Sequence, residues 1–367
     1  MAEGRSGSPQ VTGVVSARQP PVRLPSLTGL RWFAAFAVFG FHIRNIGLTD
    51  EPVIARLLSV LFGPGSSGVP FFFILSGMVL TWSARGGMPA TAFWRRRAAR
   101  ILPNHVITWV GALALLYVAG EAVAPGPALS GLFLTQAWVP DEGYYFAANT
   151  PAWSLSCELA FYAAFPLLLP VVRRIPKNRL WAAAALLLAG VWLVPLATLA
   201  LPTEPGYWFV WIFPIPRALE FALGMTIALM VQEGRWRGPG LLVSGALVVA
   251  AYFTVPYVWP AWSWVAWMAG PYAVLIAAAA TSDVRGSRSP LRARSLVWLG
   301  EVSFAFYLVH ATVIRVVARL AGEHLPTSAA VAIMLATLVL AVATAWALYR
   351  LVERPLERRL GRPRLTG

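Results

Sequence analysis

Six ionisable side chains stand in stretches of sequence otherwise apolar enough to cross a bilayer: Arg31 and His42 in the first, Glu158 in the fourth, Arg217 and Glu220 in the sixth and His310 in the ninth. Such a group in hydrocarbon costs roughly 2.5–3.5 kcal/mol on insertion scales, so each needs a partner, a water-filled cavity or a task. Arg31 and His42 are eleven residues apart, close to three helical turns, so both leave one face of a helix roughly 16 Å apart along its axis. A fixed cation with a group that titrates near neutrality deeper on its face suits the path of an anionic substrate. A snorkelling arginine and a hydrogen-bonded packing histidine satisfy the same spacing. Arg97 and Arg100 share a helix face, either as forked ligands for phosphate or as part of a basic run that only sets topology. Arg217 and Glu220, three apart, can satisfy each other, and His310 shares a face with Ser303 and Tyr307 in a pattern common for packing histidines. Gly77 suits close helix packing, and Glu353 before Pro355 suits the fixing of a helix end.

The elements that must position these groups are membrane helices. The 367 residues are 58% hydrophobic and 12% charged, against about 45–50% and about 25% in soluble domains. Apolar runs approaching the roughly 20 residues that cross a hydrocarbon core of about 30 Å fall near 27–47, 66–83, 104–121, 151–172, 180–200, 214–232, 240–257, 263–281, 296–317 and 328–351. An all-α integral membrane bundle of about ten transmembrane helices is expected. A further apolar piece near 128–139 is too short to cross and is expected at the interface or as a re-entrant segment. Pro214 and Pro216 break the start of the run at 207–232.

The formal net charge of +15 rests almost wholly on arginine, with Lys177 the one lysine. These charges lie between the apolar runs, so they report topology rather than nucleic-acid binding. With the N-terminus in the cytoplasm, alternate connections collect most of the basic residues on the inside. Asp50, Glu51, Glu121, Asp141, Glu142 and Glu204 then fall outside, and both termini are expected to be cytoplasmic. Residues 1–23 lack the apolar core of a signal peptide and read as a disordered cytoplasmic tail, and 356–367 as a basic cytoplasmic tail. Cys157 is alone, and four scattered histidines give no metal framework; no P-loop or dinucleotide-binding turn is present.

Seven segments in order carry a resemblance. LPSLTGLRWFAAFAVFGFH holds a basic residue, ten residues, then His; FFFILSGMVLTW, FWRRRAARILP, PAWSLSCELAFYAAFP, PRALEFALG, GEVSFAFYLVH and VERP follow. Together they resemble the acyltransferase 3 family of multi-pass membrane acyltransferases and place its transmembrane domain at about 24–355. Asn104-His105 departs from the pattern, which usually has a Tyr two residues past Pro103.

The resemblance implies transfer of an acyl group, acetyl or short-chain, from a cytoplasmic coenzyme A thioester to a hydroxyl. It makes acyl-CoA a donor substrate, with no permanently bound cofactor and no metal. On this reading His42 is the general base, or alternatively a covalent acyl carrier, and Arg31 neutralises donor phosphate or developing charge. Arg97 and Arg100 hold the pyrophosphate and 3′-phosphate. Glu158 either orients His42, binds the acceptor hydroxyl or serves as a structural ion-pair partner, with Trp153, Ser154 and Tyr162 beside it. The family's acceptors are glycans, lipid-linked sugars and macrolide-type metabolites. The Arg and Ala bias fits a GC-rich genome such as an actinomycete's, so natural-product tailoring and cell-envelope modification both stand, at the plasma membrane. The rival class is a transporter or flippase whose buried charges line a route.

Overall fold

The computed structural model describes residues 23–84, 89–322 and 324–360, and among them it holds helices and no strand. The helices are α1 (Pro25–Ile43), α2 (Pro52–Phe62), α3 (Gly68–Ser83), α4 (Ala90–Val118), α5 (Pro125–Leu132), α6 (Glu142–Tyr145), α7 (Trp153–Arg173) and α8 (Leu180–Leu193), followed by α9 (Thr203–Tyr207), α10 (Pro214–Gln232), α11 (Leu241–Thr254), α12 (Pro260–Ser263), α13 (Ala266–Val284), α14 (Arg294–Ala321), α15 (Thr327–Leu348) and α16 (Arg354–Leu360). Nine helical stretches of the described residues are long and apolar enough to cross a membrane, and Leu241–Tyr257 forms a shorter apolar one. Each apolar run expected to cross is therefore matched by a helix. Backbone groups have no water to bond in a bilayer core, which is why an apolar chain of this composition closes its hydrogen bonds within helices.

Several details differ from simple runs. The piece near 128–139 becomes α5 and a 3₁₀ turn, Gln136–Trp138, neither long enough to cross. Around the prolines, α9 passes into a π-helical turn, Trp208–Ile212, Phe213 is extended, and α10 begins on Pro214, where the missing N–H is harmless. Residues 52–62, left in a connection by the hydropathy pattern, form α2, whose Val53, Leu57 and Val60 are exposed. Residues 354–360 of the expected basic tail are helical, while 361–367 and nearly all of the N-terminal tail lie outside the described residues.

Contacts between connections support the alternation of sides. At one end Lys177 pairs with Glu233, Arg173 donates to the Ala84 carbonyl (3.0 Å) and Trp181 to that of Arg235 (3.2 Å). At the other end Arg319 pairs with Glu121, His324 meets Asp50 at 2.6 Å, and the Leu325 N–H donates to Leu48 O at 2.8 Å. Each link joins connections assigned to one side.

Two close crossings set the positions of the functional helices. α3 and α10 meet at Gly77 and Gly224: a Cβ at Gly77 would lie 1.9 Å from Phe221 O, and one at Gly224 1.9 Å from Ile74 O. In a membrane, where lipid offers apolar side chains no penalty, such backbone approach is a main source of helix association. α1 and α14 meet where Gly300 faces the Thr28 carbonyl, 1.8 Å from a built Cβ. The start of α1 is pinned by an unforeseen latch. Buried Asp283 accepts from Ser26 N (2.8 Å), Ser26 Oγ (2.7 Å) and Arg292 Nε (2.7 Å).

Candidate active site

The one-face relation of Arg31 and His42 places them in two separate cavities. The first, of about 120 Å³, is lined by Arg31 from α1, Arg97 and Arg100 from α4, and Ser154, Glu158 and Tyr162 from α7. Ser76 of α3 and Ser303 and Tyr307 of α14 complete its polar lining, and Phe72, Leu75 and Leu155 its apolar wall. The second, about 580 Å³, is lined by His42 together with Thr150, Glu121, Arg315, Arg319 and the apolar face of α14 at Ala311, Ile314 and Ala318. None of the described residues lines both.

In the arginine cavity the cations exceed their partners. Among the described residues Arg31 and Arg97 form no ion pair, and Arg100 reaches Glu357 only at 3.8 Å. The buried Arg97 Nε has no hydrogen-bond partner, and its guanidinium rests over Phe93 at 5.9 Å. An arginine that served only topology would point to headgroups; these converge on a cavity. Glu158 accepts from the Tyr162 hydroxyl at 2.6 Å, and Ser76 Oγ lies 3.3 Å from the same hydroxyl. Glu158 thus shares Arg31's cavity, and among the described residues it forms no hydrogen bond with His42.

His42 meets His310 instead. His310 Nε2 lies 3.1 Å from His42 Nδ1, which is also 2.9 Å from the Val38 carbonyl. Tyr307 stands between the cavities: it lines the first, and its ring centroid is 5.8 Å from that of His310. Its hydroxyl is held by Ser154 Oγ (2.8 Å) and Pro151 O (3.3 Å), with Phe72 5.8 Å away on the cavity side.

Other candidates are not brought to either cavity. Arg217 and Glu220 pair at 3.1 Å with 2% and 1% side-chain exposure, under Phe73 at 5.0 Å, so this couple is structural in its surroundings. Trp153 packs edge-on to Phe73 at 6.4 Å. No group of three or more metal-ligating side chains occurs among the described residues.

A family model described as an acyltransferase domain matches residues 24–350. The chain belongs to the acyltransferase 3 family. It is a multi-pass membrane protein of acyl-transferring enzymes, for which the plasma membrane is the usual location. It is similar to acyltransferase MdmB of Streptomyces mycarofaciens, 44% identical over 94% of this chain and 95% of the relative. It is also similar to the exopolysaccharide production protein ExoZ of Rhizobium meliloti, 30% identical over 83% of this chain and 94% of that one. The putative peptidoglycan O-acetyltransferase YrhL of Bacillus subtilis is 27% identical over 79% of this chain and 48% of its own length. No solved structure matches the chain.

As an acyltransferase 3 protein, the chain carries its departure at 104–105 into structure. Asn104 Nδ2 donates to buried Glu353 at 2.7 Å, and His105 Nε2 donates toward the carbonyls of Gly131 (3.1 Å) and Leu132 (3.2 Å), tying α5 to α4. Glu353 sits in a π-helical turn, Tyr349–Glu353, and bears on Arg31 electrostatically along with Arg100 and Glu158. Sequence reading gave Glu353 only a helix-end role. Nor did it single out Arg315, which extends into the second cavity toward Thr150 Oγ1 (3.4 Å); its place near the end of a span is the signal it offered.

Proposed function

We propose that this acyltransferase moves an acetyl or short acyl group from acyl-CoA to a hydroxyl of a carbohydrate or a glycosylated natural product. The observation that carries the donor is the gathering of three guanidinium groups on the first cavity with Glu158 as its one lining carboxylate, Arg31 and Arg97 forming no ion pair among the described residues. Forked guanidiniums match phosphate oxygens two at a time, and a pyrophosphate with a 3′-phosphate supplies enough of them. The flexible pantetheine arm is the part of such a donor that can extend from the arginines toward Tyr307. The arginine end then faces the cytoplasm, where acyl-CoA is found, in keeping with cytoplasmic termini.

The acceptor enters the larger cavity and presents a hydroxyl to His42. As its oxygen attacks the thioester carbonyl, the proton passes to His42. Collapse of the tetrahedral intermediate breaks the C–S bond, and the departing thiolate takes that proton back, leaving ester, free coenzyme A and neutral His42. Arg31 neutralises donor phosphate or developing negative charge on the donor side. The similarity to an exopolysaccharide production protein and to a putative peptidoglycan O-acetyltransferase supports a hydroxyl acceptor.

The test uses purified protein in lipid nanodiscs with acetyl-CoA and a panel of oligosaccharides and glycosylated macrolactones. Thiol release that depends on an acceptor, with a product heavier by one acetyl group, is expected, and His42→Ala is expected to abolish it. Full activity of that variant, or movement of solute without thioester consumption, would overturn the reading.

A further inference from the structure

We propose that His310 is a positioning residue that sets the tautomer and aim of His42, a role that rests on His42 acting as the base. The argument is one of donors and acceptors. His310 is fully buried, and its Nδ1 lies 3.2 Å from the Phe306 carbonyl. A carbonyl can only accept, so the proton of the neutral ring belongs on Nδ1 and Nε2 carries a lone pair. That lone pair faces His42 Nδ1 at 3.1 Å. The other neighbour of His42 Nδ1, Val38 O at 2.9 Å, also only accepts. His42 therefore bears its proton on Nδ1, shared between the two. Its lone pair is left on Nε2, the atom free to take a hydroxyl proton from the cavity that His42 lines.

The opposite tautomer of His42 would set a nitrogen lone pair against the Val38 carbonyl oxygen at 2.9 Å and leave the basic atom turned away from Nε2. Packing holds the partner ring in place. Phe306 stacks on His310 at 5.9 Å and 21°, Phe39 meets it edge-on at 6.4 Å, and Tyr307 lies 5.8 Å away. Serine hydrolases use a carboxylate in this orienting position. Here Glu158 lines the other cavity, and a neutral imidazole orients the base without burying a further charge. After proton transfer His42 is a cation whose Nδ1–H still donates to His310 Nε2, so the same contact stabilises the charged intermediate.

Substitution at 310 separates this role from packing. Gln can place its Oε1 where the His Nε2 lone pair lay; Asn reaches only the Nδ1 position beside Phe306 O and leaves His42 unanswered. Purified His310→Gln, His310→Asn and His310→Ala are compared in nanodiscs. The donor is acetyl-CoA, and the acceptor is the compound the wild type turns over fastest from the panel above. Expected is a loss of kcat of roughly 5–150-fold for Asn and Ala, with KM for both substrates nearly constant and Gln recovering most of the loss. Asn equal to Gln, or losses confined to KM or to protein yield, overturns the proposal. Should Ala fail to accumulate, the Gln–Asn pair decides alone. An active His42→Ala protein would instead remove the base reading itself, a separate outcome.

Discussion

The donor reading makes a quantitative demand on Arg97. Its guanidinium is partly buried, lacks a carboxylate partner and leaves Nε unpaired, so replacing it by glutamine removes no ion pair within the protein. What it removes is a charge-assisted contact with donor phosphate, worth about 1.5–3 kcal/mol. At about 1.4 kcal/mol per tenfold, that corresponds to a rise in KM for acetyl-CoA of roughly 10–150-fold. Arg100 differs, because it sits 3.8 Å from Glu357 in a pair with 32% and 43% side-chain exposure. A pair so exposed contributes about 0–1 kcal/mol, and Glu357 yields Arg100 to phosphate at little cost. Glu357→Gln should therefore leave KM for the donor unchanged or lower it.

The assay is thiol release from acetyl-CoA and from its 3′-dephospho form, for the wild type, Arg97→Gln, Arg100→Gln and the double variant. If one of the two arginines holds the 3′-phosphate, its substitution and the loss of that phosphate will not add: the variant will show a much smaller penalty on the dephospho donor. The wild type should also lose donor affinity with added salt more steeply than either variant. Unchanged KM in all variants together with lowered membrane insertion would refute the donor role and return these arginines to topology.

Two further outcomes test the frame that holds the cavities. Asp283→Asn keeps the volume but weakens the three contacts to Ser26 and Arg292. Loss of one partner from a buried ionic group costs on the order of 3 kcal/mol, so the detergent-solubilised protein should melt several degrees lower, and an unchanged melting temperature would show that the latch contributes little. Gly77→Ala sets a methyl 1.9 Å from the Phe221 carbonyl, backbone that cannot swing aside. The yield of monodisperse protein should fall sharply, and an unaffected yield would show that α3 and α10 separate easily.

Much of the frame was legible because a bilayer imposes a single strong rule, and apolar length located all nine helical stretches of the described residues that are long and apolar enough to cross, with the shorter Leu241–Tyr257. Pairing across that frame was not legible. The Arg31–His42 spacing gave a shared face correctly but could not show that three turns carry the two residues into different cavities. For Glu158 the sequence left three roles open: orienting His42, binding the acceptor hydroxyl or pairing with a cation. It held no sign that the hydroxyl of Tyr162, one turn along α7, would be its hydrogen-bond partner. His310 looked like a packing histidine, since its value depends on α1 and α14 meeting at Gly300, a contact between residues far apart in sequence. Asp283 near a connection gave no sign that its partner was the backbone of Ser26. Local periodicity fixes which face a group leaves; only the crossing geometry fixes what it meets.

The separation of the two cavities has a chemical consequence. In the proposed reaction, holding the donor's phosphates in a separate cavity exposes only its acyl end to the cavity that His42 lines. Roughly 16 Å of helix separates Arg31 from His42, so in the proposal the donor's phosphates and its acyl end lie at opposite ends of that path. Tyr307, fixed by Ser154 and Pro151, lines the first cavity and packs toward His310. Only the reactive end of a long, thin donor needs to reach His42, and a narrow first cavity beside a broader second one provides for that. His42 shares its cavity with Glu121, Arg315 and Arg319, of which Arg319 pairs with Glu121, while His310 meets the ring by hydrogen bonding alone.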